Sequence, residues 1–336
     1  MSETQDWMIY RGDGVPKTDW TLPDPPPWRD FEQLAKHRAA TFQPPPNVPA
    51  AVNAALYLRR PLLVTGDPGT GKSSLAYSVA RELSLGDVLT WNINSRSTLA
   101  EGLYQYDALA RLRDASVVRA GARGREEGED VEDGDAPRST PVDDEDIGRY
   151  LTLGALGTAF VAKTRPRVVL VDEIDKSDVD LPNDLLHVFE DGRFDIPELT
   201  RIAERRRQVR VATSDVGASV EVEAGRVQCR VFPIVVITSN GERDLPPAFL
   251  RRCLRIDIAG PKGGTLEEIV RAHLDGGDAA TLTQLVARFD AARARGEMLA
   301  TDQLLNAFYL VGQGRDISDE SRAMLEQLLL RPLDRA

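Results

Sequence analysis

The run Gly66-Asp67-Pro68-Gly69-Thr70-Gly71-Lys72-Ser73, continued by Ser74, has the residue types and spacing that hold a polyphosphate. Its glycines let consecutive backbone N–H groups turn inward around phosphate oxygens. A helix opening at Lys72 adds the partial positive charge of its N-terminus. Lys72 is suited to bridge the β- and γ-phosphates, and Ser73 to put its hydroxyl on Mg²⁺. The plain alternative is a glycine-rich turn. Against it, the run follows an apolar stretch and opens an amphipathic one, the context a phosphate loop requires.

Asp172-Glu173 forms a second constellation, delivered by four apolar residues at 168–171. The pattern carries two carboxylates to the C-terminal end of a buried strand, the edge where ligands gather in open α/β sheets. Asp172 suits Mg²⁺, directly or through water. Glu173 suits a base that orients and deprotonates a water attacking the γ-phosphate. Asn240 follows another apolar run, 234–238. It would either position that water or cap the turn expected of Asn240-Gly241. Arg251 and Arg252 follow Pro246-Pro247. They read either as a solvated helix face or as a guanidinium reaching the γ-phosphate of a neighbouring subunit, a task suited to a planar, permanent cation.

Strands and helices must position these groups. Short apolar runs at 61–65, 167–171, 232–238 and 253–258 read as buried strands, with helices expected over 72–83 and 182–189. Their alternation predicts a parallel sheet in an α/β fold. From about residue 260 the periodicity is helical only, over 266–274, 282–294, 303–311 and 321–330, and Gly260-Pro261 marks the boundary.

Two segments stand apart. Residues 1–50 hold Trp7, Trp20 and Trp28 and two Pro-Pro-Pro runs, at 25–27 and 44–46. Such a stretch is expected to be extended, as a strap packed on the main domain or as an arm that docks a partner. Residues 121–146 set eleven carboxylates against three arginines, so most of the net charge of −11 lies there. With no aromatic residue, the stretch reads as a disordered, solvated loop, or else as a trap for a basic partner.

The chain has 336 residues, 42% hydrophobic and 28% charged, ordinary for a soluble globular protein of one or two domains. Its acidic balance argues against a nucleic-acid coat. Two distant cysteines and three isolated histidines offer neither a disulfide framework nor zinc-ligand spacing. The polar start, Ser2 to Asp6, reads as no signal peptide, and no apolar run approaches the ~20 residues of a membrane helix. A cytoplasmic protein is expected. A GTPase is not, because the nearest approach to N-K-x-D, Asp175-Lys176-Ser177-Asp178, adjoins the carboxylate strand.

The phosphate loop, Val171-Asp172-Glu173-Ile174-Asp175, Asn240 and Leu245-Pro246-Pro247-Ala248-Phe249-Leu250-Arg251-Arg252-Cys253 occur in the order seen in AAA+ ATPases. Asp172 to Ser177 followed by Leu181-Pro182-Asn183-Asp184-Leu185-Leu186 resembles the MoxR branch. The resemblance covers about residues 50–330. It implies a five-stranded parallel sheet flanked by helices with a small C-terminal helical lid, and domains at 1–50 (arm), 51–259 (nucleotide binding) and 260–336 (lid). It implies ATP and Mg²⁺ at the subunit interfaces of a homo-oligomeric ring, usually a hexamer. Asn240 would be the sensor-1 residue and Arg252 the arginine finger, with Arg251 the fallback. Residues 95–104 and the acidic loop would face the pore, and 209–231 would form a hairpin whose halves are 209–212 and 227–231. The implied activity is ATP hydrolysis that remodels a client, often with a von Willebrand factor A-domain protein. The alternative is a slow nucleotide-gated switch or scaffold. One departure stands out: Gln303 occupies the place of the sensor-2 arginine, and a neutral amide cannot replace that charge. Arg293 and Arg295 lie nearby in sequence, and neither takes the role on sequence alone.

Overall fold

The computed structural model describes residues 8–126, 144–274, 276–312 and 317–333. They form two compact units, one of Met1–Ala50, Val64–Ser84 and Ile256–Ala336, the other of Ala51–Leu63 and Leu85–Arg255.

Strands β1 (Leu62–Thr65) and β2 (Leu89–Asn92) are followed by two short ones, β3 (Tyr104–Tyr106) and β4 (Leu151–Leu153). Next come β5 (Val168–Asp172), β6 (Arg193–Asp195), β7 (Gln208–Ala212), β8 (Ser219–Glu223) and β9 (Arg226–Gln228). The last are β10 (Ile234–Ser239) and β11 (Leu254–Asp257). Five of them make the expected parallel sheet, in the order β11-β1-β10-β5-β2. The central strands are buried on both faces, as helix-covered parallel strands require. Val168 to Val171 are fully buried, and every residue of β10 is buried. The edge strand β2 escapes the apolar-run signal because only Leu89 and Trp91 point inward.

The other six strands form a second sheet, β3-β4-β7-β8-β9-β6. The partner of β7 is β8, paired Val209 to Val222 and Val211 to Val220, rather than residues 227–231; β9 pairs with β6 instead. The reason is local. Gly217, at φ +72°, closes a short turn after Asp215-Val216, and Ala224-Gly225 closes a second one. Arg167 at the start of the carboxylate strand grips Asp215 through both oxygens (2.7 and 2.9 Å) and fixes this hairpin.

Four C-terminal helices, Gly264–His273, Ala279–Ala294, Thr301–Val311 and Asp319–Leu329, enclose their own core around Phe289, Leu304 and Phe308. Each such buried side chain contributes about 1.5–3 kcal/mol. The N-terminal segment contains a helix, Leu34–Thr41, that packs on the helix Lys72–Glu82 and on Gly264–His273. Trp28 lies against Tyr309 and His273 and donates to Asn306 Oδ1 (3.1 Å). Trp20 stays 54% exposed, and Trp7 lies outside the described residues. Of the acidic stretch, residues 121–126 continue the helix Ala108–Glu126, and 127–143 lie outside the described residues. Among the described residues no helix is long and apolar enough to cross a membrane.

Candidate functional site

β1 is buried up to Val64 and then releases the chain into the loop 66–71, from which the helix Lys72–Glu82 departs. Gly66, Gly69 and Gly71 have φ of +143°, +74° and +85°, a region that disfavours any side chain. Space confirms the need at Gly66, where a Cβ would stand 2.3 Å from the Ile258 carbonyl oxygen. The N–H groups of Gly69, Thr70 and Gly71 find no acceptor among the described residues, so they remain available to phosphate oxygens. Lys72 is buried, and its ammonium donates to the Gly66 and Asp67 carbonyls at 2.8 Å each. The loop therefore curls around its own cation. The Phe42 ring approaches Gly71, lying 3.5 Å from where its Cβ would be.

The carboxylates follow from the end of β5. Asp172 is its last residue, and Glu173 takes a left-handed conformation, φ 62°, before a single turn over Ile174–Lys176. That conformation costs a non-glycine residue about 1–2 kcal/mol. Thr238 of β10 holds it: its hydroxyl accepts from the Glu173 N–H (2.8 Å) and donates to Asp172 Oδ1 (2.7 Å). One buried hydroxyl thus holds the Asp172 carboxylate and the backbone of Glu173. Asn240, just past β10, donates from Nδ2 to Glu173 Oε1 at 3.4 Å, and from its backbone to Asp175 Oδ2 at 3.0 Å. Asp175 is 2% exposed and also accepts from the Glu242 N–H (2.9 Å), so it anchors the loop that carries Asn240. Its second oxygen is buried without a hydrogen-bond partner among the described residues.

Of the two cations to place, Lys176 touches this half and Arg252 does not. Lys176 donates to Glu173 Oε2 at 2.7 Å, and that bond raises the ammonium pKa above its ordinary value. Arg252 pairs through Nε with Glu190 Oε1 and donates to the Ala248 carbonyl (3.3 Å). Its hydrogen bond holds the Glu190 carboxyl below the usual carboxylate range. Arg251 is exposed, with no side-chain partner among the described residues.

The residues singled out in the sequence therefore meet in two groups. The loop, 66–73, gathers around Lys72, while Asp172, Glu173 and Asn240 gather around Thr238. Arg252 belongs to neither and is taken by Glu190. Gln303 is spent on architecture: its Oε1 accepts from the Ala300 N–H (2.9 Å), and its Nε2 donates to the Leu329 (3.1 Å) and Arg331 (2.8 Å) carbonyls. Thr238, Asp175 and Lys176 are the participants to which the sequence assigned no role at the site. For Thr238 a signal existed, since residues two apart at a strand end, 238 and 240, share a face.

A protein-family model described as AAA domain (dynein-related subfamily) matches residues 61–253, more than half of the chain. No curated protein matches it.

Proposed function

The chain belongs to the AAA domain family, dynein-related subfamily, and from that premise we propose that it is a MoxR-type AAA+ ATPase. In this reading ATP is hydrolysed with Mg²⁺ at the subunit interfaces of a homo-oligomeric ring, and turnover remodels or activates a partner protein. A von Willebrand factor A-domain protein is the partner class that the resemblance favours. Two unpaired cysteines, Cys229 and Cys253, suit a reducing cytoplasm.

The observation that carries the reading is the Thr238 bridge. A phosphate loop alone argues for binding; hydrolysis also needs a metal ligand and a base with fixed aim, and Thr238 ties Asp172 and Glu173 together. Gly69, Thr70 and Gly71 would wrap the β-phosphate with their N–H groups. Lys72 would leave the two carbonyls it now bonds and take phosphate oxygens. Glu173, steadied by Asn240, would accept the proton of the attacking water. Among the described residues no cluster of three or more His, Cys, Asp or Glu forms a metal cage. Mg²⁺ on a nucleotide needs none, since a hydroxyl and a carboxylate, here Ser73 and Asp172, suffice beside phosphate oxygens and water. When bound, it would draw charge from the β- and γ-phosphate oxygens. Arg252 would complete the site of the neighbouring subunit.

The test is solution mass by light scattering, with and without a non-hydrolysable ATP analogue, alongside phosphate release. Nucleotide-dependent assembly with turnover that rises on assembly supports the reading. A monomer that hydrolyses at full rate overturns it. A slow nucleotide-gated switch is the second reading, favoured by two contacts: Lys176 occupies Glu173 and Glu190 occupies Arg252. Turnover that stays slow in the assembled particle, with and without a partner, would select it.

A further inference from the structure

Arg293 stands near the end of the helix Ala279–Ala294, and its guanidinium turns onto the phosphate loop. Nη2 lies 3.8 Å from Asp67 Oδ2, and Nη1 donates to the Pro261 carbonyl at 3.0 Å. The guanidinium carbon sits 5.5 Å from the centre of the Phe289 ring, and the side chain is only 17% exposed. Gly260 makes the room, because a Cβ there would fall 1.8 Å from Nη2. This is a built socket for a cation: a carbonyl, an aromatic face and a glycine gap hold the guanidinium at the loop.

Its anionic partner is a poor one. Asp67 is 74% exposed, and 3.8 Å is the outer limit of an ion pair, so the contact is weak. Among the described residues only one of the five N–H groups of Arg293 makes a hydrogen bond. A fixed fork of donors, mostly unused, beside a loop of unpaired N–H groups suits phosphate oxygens. Of the other arginines here, Arg271 is paired with Glu267, Arg288 with Glu326 and Arg295 with Glu297, while Arg322 donates to Thr281 Oγ1 (3.4 Å). Gln303 is neutral and fully bonded. The C-terminal helices also touch the loop directly, since a Cβ on Gly69 would fall 2.8 Å from Ala300 Cβ.

We infer that Arg293 is the phosphate-binding cation of the C-terminal helices. On nucleotide entry it exchanges its loose contact with Asp67 for the phosphate chain, and Asp67 is the competitor it leaves. This rests on the ATP-binding reading above and adds a residue to it.

The test is calorimetric titration of the full chain with Mg²⁺ and a non-hydrolysable ATP analogue. Arg293→Ala should weaken binding roughly tenfold or more, the scale of a hydrogen bond to a charged group, and Arg293→Lys should recover part of the loss. Asp67→Asn should tighten binding, because it removes the competitor. Binding within twofold of wild type in Arg293→Ala overturns the inference. So does Asp67→Asn that fails to tighten binding, since a merely structural tie would suffer equally from either end. If Arg293→Ala does not fold, Asp67→Asn decides alone. Wild-type protein that binds no nucleotide would instead defeat the ATP-binding reading itself.

Discussion

Lys176 closes onto Glu173, three residues before it, with Nζ 2.7 Å from Oε2, while Asn240 reaches the other oxygen at 3.4 Å. Both carboxylate oxygens of the proposed base are therefore occupied. An ammonium on a base competes with the water that the base must polarise. The pair is about 40% exposed on each side, and exposed ion pairs at this spacing are worth only about 0.3–0.5 kcal/mol. Lys176→Met should therefore raise turnover of the assembled protein about twofold and leave nucleotide affinity unchanged. Phosphate release at saturating ATP measures it; a fall in rate would mean that Lys176 helps the chemistry.

Glu173→Gln keeps the shape and loses the base. Steady-state turnover should drop by at least about 10²-fold, with binding of the ATP analogue retained. Comparable turnover in the variant would remove Glu173 from the chemistry.

Thr238→Val keeps the packing of β10 and removes the hydroxyl that holds the Asp172 carboxylate and the backbone of Glu173. The N–H of half-buried Glu173 would then lack its acceptor, at a cost of about 1 kcal/mol, on top of the left-handed backbone already there. The melting temperature should fall, and the Mg²⁺ concentration for half-maximal turnover should rise about tenfold. Thr238→Ser should restore both. A Mg²⁺ requirement unchanged in Thr238→Val would show that Asp172 needs no such support.

Strand cores were legible because burial on two faces writes an uninterrupted apolar run, as in Val168 to Val171 and Ile234 to Ile237. β2 was not, because an edge strand buries alternate residues and Thr90 and Asn92 interrupt the run. The order of the loop, the carboxylates and Asn240 can be read because each follows a strand end. The wiring between them cannot. Thr238 and Glu173 are 65 residues apart, Arg293 and Asp67 further still, and no local period links them. The pairing of β7 with β8 turned on Gly217, and that of β8 with β9 on Gly225, two glycines among many in the sequence.

Arg252 and Glu190 form an intrachain pair that a neighbouring subunit's nucleotide would have to break. Arg252→Ala should lower the turnover of the assembled particle by about 10³-fold, the scale of an arginine finger, and leave ATP binding to the isolated subunit intact. Glu190→Gln frees the guanidinium, so turnover at low protein concentration should rise. If Arg252→Ala hydrolyses normally while Arg251→Ala does not, the exposed neighbour is the finger instead.

The N-terminal segment carries a pH dependence of its own. His37 and His273 meet edge to face, centroids 5.0 Å apart, and Trp28 lies against His273. Burial lowers both imidazole pKa values below 6.5, and His37 Nε2 has no hydrogen-bond partner among the described residues. His273 Nδ1 donates to the Ile269 carbonyl (2.8 Å), which fixes its neutral tautomer. A base whose folded pKa is depressed contributes stability that is fully present above its unfolded value. That stability is lost as pH falls through the folded one, because the released histidines bind protons more tightly. The helix Leu34–Thr41 should thus stay packed at pH 7.5 and loosen progressively below about 6.5. Amide hydrogen exchange across 34–41, corrected for intrinsic rates, should show protection falling between pH 7 and 5 in the native chain. It should fall less in the His37→Phe, His273→Phe double variant. Protection that is flat with pH in the native chain would show that neither imidazole controls this contact.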